Sequence, residues 1–152
     1  MELLLFMPDL MWFSIGFGPD MYDIDMLAWH ADGDNSYFKD YWSTKKDTPG
    51  EDSEQNLTGR SKVFAAGAPA GTLAGVDYKQ IAFLTYRPLD TGDTAEDFLV
   101  QLGREMDMVY ALRLRDSSWS LHDRRGEFKM TLDESMGNPA VEVAEQQVGV
   151  QV

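Results

Sequence analysis

Met21 is the residue whose position in the sequence is hardest to explain by packing. The preceding segment, Met11–Phe17, has the apolar character of a strand, and Gly18-Pro19 must end it because proline cannot donate to a sheet ladder. A second apolar run begins near Ile24, so Met21 falls on an exposed turn, where a thioether has no packing role. It is either a metal ligand or a surface methionine, one of nine methionines in the chain.

The other candidate ligands are few. The chain has two histidines, His30 and His122, and no cysteine, which excludes structural disulfides, iron–sulfur clusters and thiolate zinc sites. Each histidine is either a metal ligand or a ring satisfied inside the core. The acidic turn at 32–35 carries oxygens that suit calcium, but it lacks a twelve-residue calcium loop, and we expect a plain hairpin turn. Nucleophile elbows, phosphate loops and dinucleotide fingerprints are all missing from the sequence, so we expect no enzymatic activity.

The charge of the chain limits its partners. A net charge of −13 argues against binding to nucleic acid, whose phosphates would be repelled. An acidic surface favours solubility, or attracts a basic protein partner. Asp20, Asp23 and Asp25 flank Met21 and are candidates for an acidic rim that docks such a partner. No apolar run reaches the ~20 residues of a membrane span, and residues 1–7 predict a strand rather than a signal peptide.

The elements that must position these residues are predicted to be strands. Short apolar or alternating runs separated by turn residues indicate an all-β, immunoglobulin-like antiparallel sandwich with at most short helical turns, for example within 94–103. One domain would span 1–133, followed by a polar tail at 134–152. A long polar loop is predicted at 43–61, and 63–75 is ambiguous. The expected strands are 2–6, 11–17, 24–31, 36–42, 80–87, 107–115, and a hairpin of 119–122 with 127–132 around an Arg124-Arg125-Gly126 turn.

An ordered set of short motifs resembles DOMON domains, the β-sandwich modules found in the cytochrome domain of cellobiose dehydrogenase and in related b-type cytochromes. The resemblance covers roughly residues 2–132, and no single piece of it is specific. DOMON domains usually carry additional strand sequence before the segment equivalent to 2–6, which leads us to expect that this domain works inside a larger assembly. The motifs are Trp12-Phe13-Ser14-Ile15-Gly16-Phe17-Gly18 with Met21 and Asp25-Met26-Leu27, Lys39-Asp40-Tyr41, Tyr86-Arg87-Pro88-Leu89-Asp90-Thr91-Gly92-Asp93, Tyr110-Ala111, and Trp119-Ser120-Leu121-His122 ahead of Gly126.

The resemblance implies a haem b held without covalent bonds. In the haem-binding members a methionine after the glycine-rich turn and a histidine near the end of the domain are the axial iron ligands. These positions correspond to Met21 and His122, with His30 as an alternative ligand and Met26 expected in the core. Such an iron would carry single electrons. The expected haem pocket also includes five aromatic residues, for which core packing is the alternative, and two arginines that would pair with the propionates. These are Trp12, Phe17, Tyr22, Tyr110, Trp119, Arg124 and Arg125.

Partners and location follow from the same resemblance. It implies a redox partner protein and an extracytoplasmic location, or membership of a membrane-associated redox complex. The second hypothesis is a haem-free DOMON module that binds carbohydrate or serves as an accessory subunit, since the aromatic residues of 36–42 and 119–121 would suit stacking on sugars.

Overall fold

The computed structural model describes residues 1–64, 72–73, 76–77 and 80–133, and in this part of the chain every regular element is a β-strand. The all-β prediction is therefore confirmed. No helix among these residues has the length and apolar character needed to cross a membrane. The strands are β1 (Glu2–Pro8), β2 (Met11–Phe17), β3 (Ile24–Ala31), β4 (Tyr37–Ser43), β5 (Gly50–Glu51), β6 (Thr58–Phe64), β7 (Thr72–Leu73), β8 (Val76–Asp77), β9 (Gln80–Tyr86), β10 (Glu105–Leu114) and β11 (Arg124–Thr131).

The strands form a sandwich of two antiparallel sheets. The larger sheet has the order β11-β10-β2-β3-β4-β5, and the smaller has the order β1-β9-β6. A separate ribbon pairs β7 with β8. The inner faces of the two sheets meet in one apolar core, because both contribute buried side chains to a single cluster. Its members include Met7, Ile81 and Phe83 from the smaller sheet and Met11, Ile15, Phe17, Leu27, Trp29, Met106 and Met108 from the larger one.

Alternation along the central strands separates the core from the outer face of the larger sheet. On β2, Ile15 and Phe17 belong to the core between the sheets, whereas Trp12 and Ser14 belong to the opposite face because successive side chains of a strand point to opposite sides. Ser14 pairs with both Ala28 and Ala111 on the neighbouring strands. Three small side chains side by side leave room above this face.

The connections differ from the predicted ones in two places. The predicted hairpin at 119–122 is wrong: these residues lie in the loop between β10 and β11, and Arg124-Arg125-Gly126 belongs to β11 instead of forming a turn. A hydrogen bond explains why β11 begins earlier than predicted. The Asp123 amide donates to the Leu112 carbonyl (2.9 Å), so the pairing of β10 with β11 already starts there. The predicted loop at 43–61 contains β5 and the start of β6.

The remaining predictions for local structure have mixed outcomes. The Asp32–Asn35 turn joins β3 to β4, with the Asn35 amide donating to the Asp32 carbonyl at 2.9 Å. Residues 94–96 form a turn rather than a helix. The predicted tail at 134–152 and most of the ambiguous segment 63–75 lie outside the described residues.

Arg87 is buried beneath the larger sheet and neutralises part of an acidic group there. Its guanidinium forms an ion pair with Asp25 and a second one with Asp97 at 3.2 Å, and all three side chains have almost no exposed surface. Asp40 lies in the same group, where burial, followed by the charges of Asp25 and Asp97, raises its pKa to about 9. Burial thus favours the protonated form of Asp40, and the Arg87 guanidinium pairs with the carboxyl groups of Asp25 and Asp97.

Gly59 on β6 tolerates no side chain. Its φ is +148°, and an added Cβ would lie 2.2 Å from the Leu84 carbonyl oxygen and 2.7 Å from the Thr85 Cα. Because both obstacles are backbone atoms of the paired strand, we expect Gly59→Ala to destabilise the fold by about 2–3 kcal/mol. Urea denaturation would measure the loss. Gly33→Ala is the matched control, since Gly33 also has positive φ (+50°) but open space around it. Equal losses for both variants would contradict the steric explanation.

Candidate cofactor site

Two adjoining cavities lie over the outer face of the larger sheet. Their volumes are about 640 Å³ and about 330 Å³, within the range typical of small-molecule and cofactor sites. They share a set of lining residues drawn from four strands and three loops, so they form one divided space. The shared residues are Ser14, Met21, Met26, Lys46, Ala111, His122 and Arg125.

Met21 reaches this space from the turn between β2 and β3. Ser43 at the end of β4 donates its hydroxyl to the Met21 carbonyl (2.7 Å), and the Tyr22 amide donates to the Asp20 carboxylate (2.9 Å). Asp23 adopts positive φ (47°) and reverses the chain into β3. The Met21 backbone is thus attached to the sheet, while its side chain is half-buried at the cavity.

His122 reaches the same space from the loop between β10 and β11. The residues on either side of it are tied to β10: Arg113 donates to the Leu121 carbonyl at 2.7 Å, and the Asp123 carboxylate accepts from the Leu114 amide at 2.9 Å. These bonds hold the end of the loop against the sheet. The sequence separates Met21 and His122 by 101 residues (122 − 21), and both line both cavities.

The wall beside His122 is aromatic and carries unpaired polar atoms. The Trp119 ring lies 4.6 Å from Trp12 and 4.9 Å from Tyr41, measured between centroids. Trp12 Nε1, Trp119 Nε1 and Ser14 Oγ are buried and have no hydrogen-bond partner among the described residues. Buried polar atoms without partners are costly and mark places where a bound group completes the hydrogen bonds. All three residues line the larger cavity.

Two cations lie at the opening. Arg125 and Lys46 line both cavities and are exposed. Arg125 pairs with Ala111, whose side chain lines the outer face, whereas Arg124 pairs with Leu112, which packs against the core. Arg124 is therefore directed away from the cavities, because neighbouring residues of a strand alternate in direction.

Three other residues predicted for the pocket are located as follows. Phe17 does not line the cavities: it is in the core, stacked on Phe98 with centroids 5.5 Å apart. Tyr22 is 51% exposed outside them, with Lys46 Nζ 5.2 Å from its ring. Tyr110 lines the smaller cavity and also packs against the core.

The two remaining candidates near the ligands lie inside the protein. His30 is fully buried, its Nδ1 is 2.8 Å from the Ser117 carbonyl oxygen, and its ring is stacked on Tyr37 with centroids 4.3 Å apart. Burial lowers the pKa of His30 and so favours its neutral form. Asp25 was expected on an acidic rim, and this expectation is wrong. Asp25 is buried against Arg87, because its place on β3 directs it to the inner face, unlike Asp23, which lies exposed on the turn.

Among the residues that line both cavities, four were not anticipated as part of the pocket: Ser14, Met26, Lys46 and Ala111. Met26 was expected in the core. It does pack in a small buried cluster with Ile24, Ala28 and Tyr41, and it also lines both cavities. The signal that would have found Ser14 and Ala111 is their small size in strands otherwise rich in bulky residues. Their small size indicates a shared cavity only when the strand register is known, because the register places Ser14 opposite Ala111.

Comparison with known proteins places the chain in a family. The model of the DOMON domain matches residues 7–113. The chain is also similar to the crystal structure of the cytochrome b domain of pyranose dehydrogenase from Coprinopsis cinerea, with a TM-score of 0.50 and 14% sequence identity, covering 84% of this chain and 65% of that one. At this identity the likeness concerns the fold alone. No curated protein matches the chain. Because the family model matches more than half of the 152 residues, the chain belongs to the DOMON domain family.

Proposed function

We propose that this DOMON domain is an electron-transfer module that binds one haem b in the divided cavity, with Met21 and His122 as its axial ligands. One observation carries most of the support: these two side chains come from distant parts of the chain and line the same two cavities. A thioether and a neutral imidazole are suitable iron ligands. The similar fold of a cytochrome b domain is consistent with this function.

The residues around the cavity fit the group. Trp12 and Trp119 offer an aromatic wall with unpaired indole N–H donors, and Met26 and Ala111 add apolar surface. Arg125 and Lys46 are the cations that would pair with the propionates at the opening. The chain has no cysteine, so attachment through thioether bonds to the vinyl groups is impossible. When bound, such a haem supplies reversible one-electron transfer, at a potential that methionine ligation raises.

The surroundings of the site favour a protein redox partner. Asp20 lines the smaller cavity and Asp23 is exposed on the same turn. Together with the overall net charge of −13, they would attract a basic partner and raise its association rate at low salt. The chain spans 65% of the pyranose dehydrogenase domain structure. We further propose that the module and its partner belong to a larger, extracytoplasmic or membrane-associated redox assembly.

An absorption spectrum tests the proposal directly. The purified chain is reconstituted with haemin, separated from free haemin, and recorded in the oxidised and the dithionite-reduced states. We expect a sharp Soret band, with resolved α and β bands on reduction, because two strong axial ligands give a low-spin iron. A flat visible spectrum after reconstitution would contradict the proposal. It would leave a carbohydrate-binding or accessory module, which the contacts of Trp119 with Trp12 and Tyr41 do not favour.

A further inference from the structure

A second group of acidic side chains lies where the turn after β5 meets the loop that follows β9. Asp52, Asp93 and Glu96 each offer a carboxylate oxygen, and these oxygens all lie within 4.8 Å of one another. Like charges at this separation repel each other. Within the described ranges, none of the three carboxylates forms an ion pair with a lysine or an arginine. The group therefore lacks a cation among those residues.

The three carboxylates are held in position by their own loops. Asp52 accepts from the Glu54 amide at 2.8 Å, and Asp93 accepts from the Ala95 amide at 2.8 Å. Glu96 accepts from the Ser53 hydroxyl at 3.2 Å, which links the two loops. Each hydrogen bond occupies one carboxylate oxygen: Asp52 Oδ1, Asp93 Oδ1 and Glu96 Oε2. The side chains keep a second oxygen each.

Asp52 supplies an independent sign that something binds here. The residue is only 5% exposed, and its Oδ2 is buried without a hydrogen-bond partner among the described residues. A buried carboxylate oxygen without a donor or a counterion is strongly destabilising. Two things can satisfy this oxygen: a proton shared with a neighbouring carboxylate, or a cation bound by the whole group.

The neighbouring arginine does not supply the missing charge. Arg87 is paired with Asp25 and Asp97, and its guanidinium also donates hydrogen bonds to the Pro88 and Phe98 carbonyls. Its guanidinium thus serves an adjacent set of carboxylates. Arg87 therefore provides no counterion for Asp52, Asp93 or Glu96, and the space between these three carboxylates is open to a bound cation.

We propose that Asp52, Asp93 and Glu96 bind a calcium ion. All the side-chain ligands are oxygens, which suits a hard cation and excludes a preference for zinc or copper. Calcium accepts six to eight oxygens in flexible geometry, so three carboxylates, the Ser53 hydroxyl, backbone carbonyls and water can complete its shell. Magnesium demands a near-ideal octahedron and retains its water, so these loop side chains select calcium over magnesium.

The ion would join two parts of the sandwich. Asp52 is attached to β4 through a hydrogen bond from its amide to the Asp40 carbonyl (3.1 Å). Asp93 and Glu96 belong to the loop between β9 and β10. Phe98 in the same loop stacks on the ring of Phe17. Calcium therefore crosslinks the end of the larger sheet to that loop. Its main effect is expected on stability, away from the cofactor cavity.

Thermal unfolding of the full chain, without added haem, tests this site. Samples first stripped with EDTA are heated with 10 mM CaCl₂, with 10 mM MgCl₂, or with EDTA alone. For a dissociation constant of roughly 10⁻⁴ M, typical of extracellular calcium modules, we expect calcium to raise Tm by about 5–10 °C. Isothermal titration with CaCl₂ should give one site per chain. No change of Tm together with no binding heat would overturn the proposal, and an equal shift with magnesium would overturn the choice of calcium.

Isosteric variants locate the ion. Glu96→Gln and Asp52→Asn remove one ligand charge each, and both should lose most of the calcium-induced rise in Tm and bind calcium at least about 10-fold more weakly. Asp34→Asn is the matched control, because Asp34 is an exposed acidic residue in the 32–35 turn. It should keep the full response. Retention of the response in Glu96→Gln and Asp52→Asn, or its loss in Asp34→Asn, would show that calcium does not bind at the proposed group.

Discussion

His122→Ala is expected to abolish the low-spin haem spectrum and to weaken haem binding by at least about 100-fold. Loss of an outer hydrogen-bond partner of a metal ligand already costs about 10–100-fold, and His122 is proposed to bind the iron directly. Titration with haemin, followed at the Soret band, measures the change. The loop should keep its position, because its hydrogen bonds to β10 involve Leu121 and Asp123 instead of His122.

His30→Gln is the control for the other histidine. His30 is buried between Tyr37 and Trp119 and does not line the cavities among the residues described. Its replacement should lower stability but leave the positions of the reduced α and β bands unchanged. A normal spectrum in His122→Ala, or a lost one in His30→Gln at a temperature where the variant is folded, would exclude His122 as the ligand.

Met21 and Met26 provide a matched pair for the second ligand. Both are methionines that line both cavities, but Met21 lies on the turn and Met26 within β3. Met21→Leu keeps the apolar volume and removes the sulfur, so haem should remain bound while the spectrum becomes high-spin and the reduction potential falls. Met26→Leu should preserve both. If Met26→Leu instead produced the high-spin spectrum, the assignment of the methionine ligand would be wrong.

Arg87→Met is expected to destabilise the domain by about 3–5 kcal/mol, the cost typical of removing one partner from a buried ion pair. The side chain is 1% exposed and lies between Asp25 and Asp97. Methionine retains most of the volume but leaves both carboxylates without a counterion. Urea denaturation, with the midpoint and slope fitted together, gives the change in the free energy of unfolding.

Two comparisons separate this effect from a general loss of charge. Lys129→Ala removes an exposed pair with Glu105, since the Lys129 side chain is 63% exposed, and it should change stability by less than about 1 kcal/mol. In the Arg87→Met background, Asp25→Asn should recover part of the loss because it removes an uncompensated negative charge. A loss below about 1 kcal/mol for Arg87→Met would mean that the buried pair adds nothing.

The sequence by itself determined most of the longer strands, though not β6, and the turn that carries Met21. Local rules decide these features: proline ends β2, the Asp32–Asn35 turn joins β3 to β4, and apolar runs mark the strands. It also limited the histidine ligands to two, since the chain contains only His30 and His122. The motif resemblance pointed to Met21 and His122, although nothing in their spacing of 101 residues requires that they lie near one another.

Only the tertiary structure decided which residues share a surface. Strand register directs Trp12 and Arg125 to the cavities and Phe17 and Arg124 away from them, although all four were candidates for the haem pocket in the sequence. A shift of one residue in register exchanges the two faces of a strand, so the composition of a strand cannot settle which face a residue occupies. The same applies to Asp25, whose carboxylate belongs to the acidic turn in sequence but to the buried pair with Arg87 in space. Pairings between distant segments, such as Arg87 with Asp25 and the loop of Met21 with that of His122, arise when the sheets assemble.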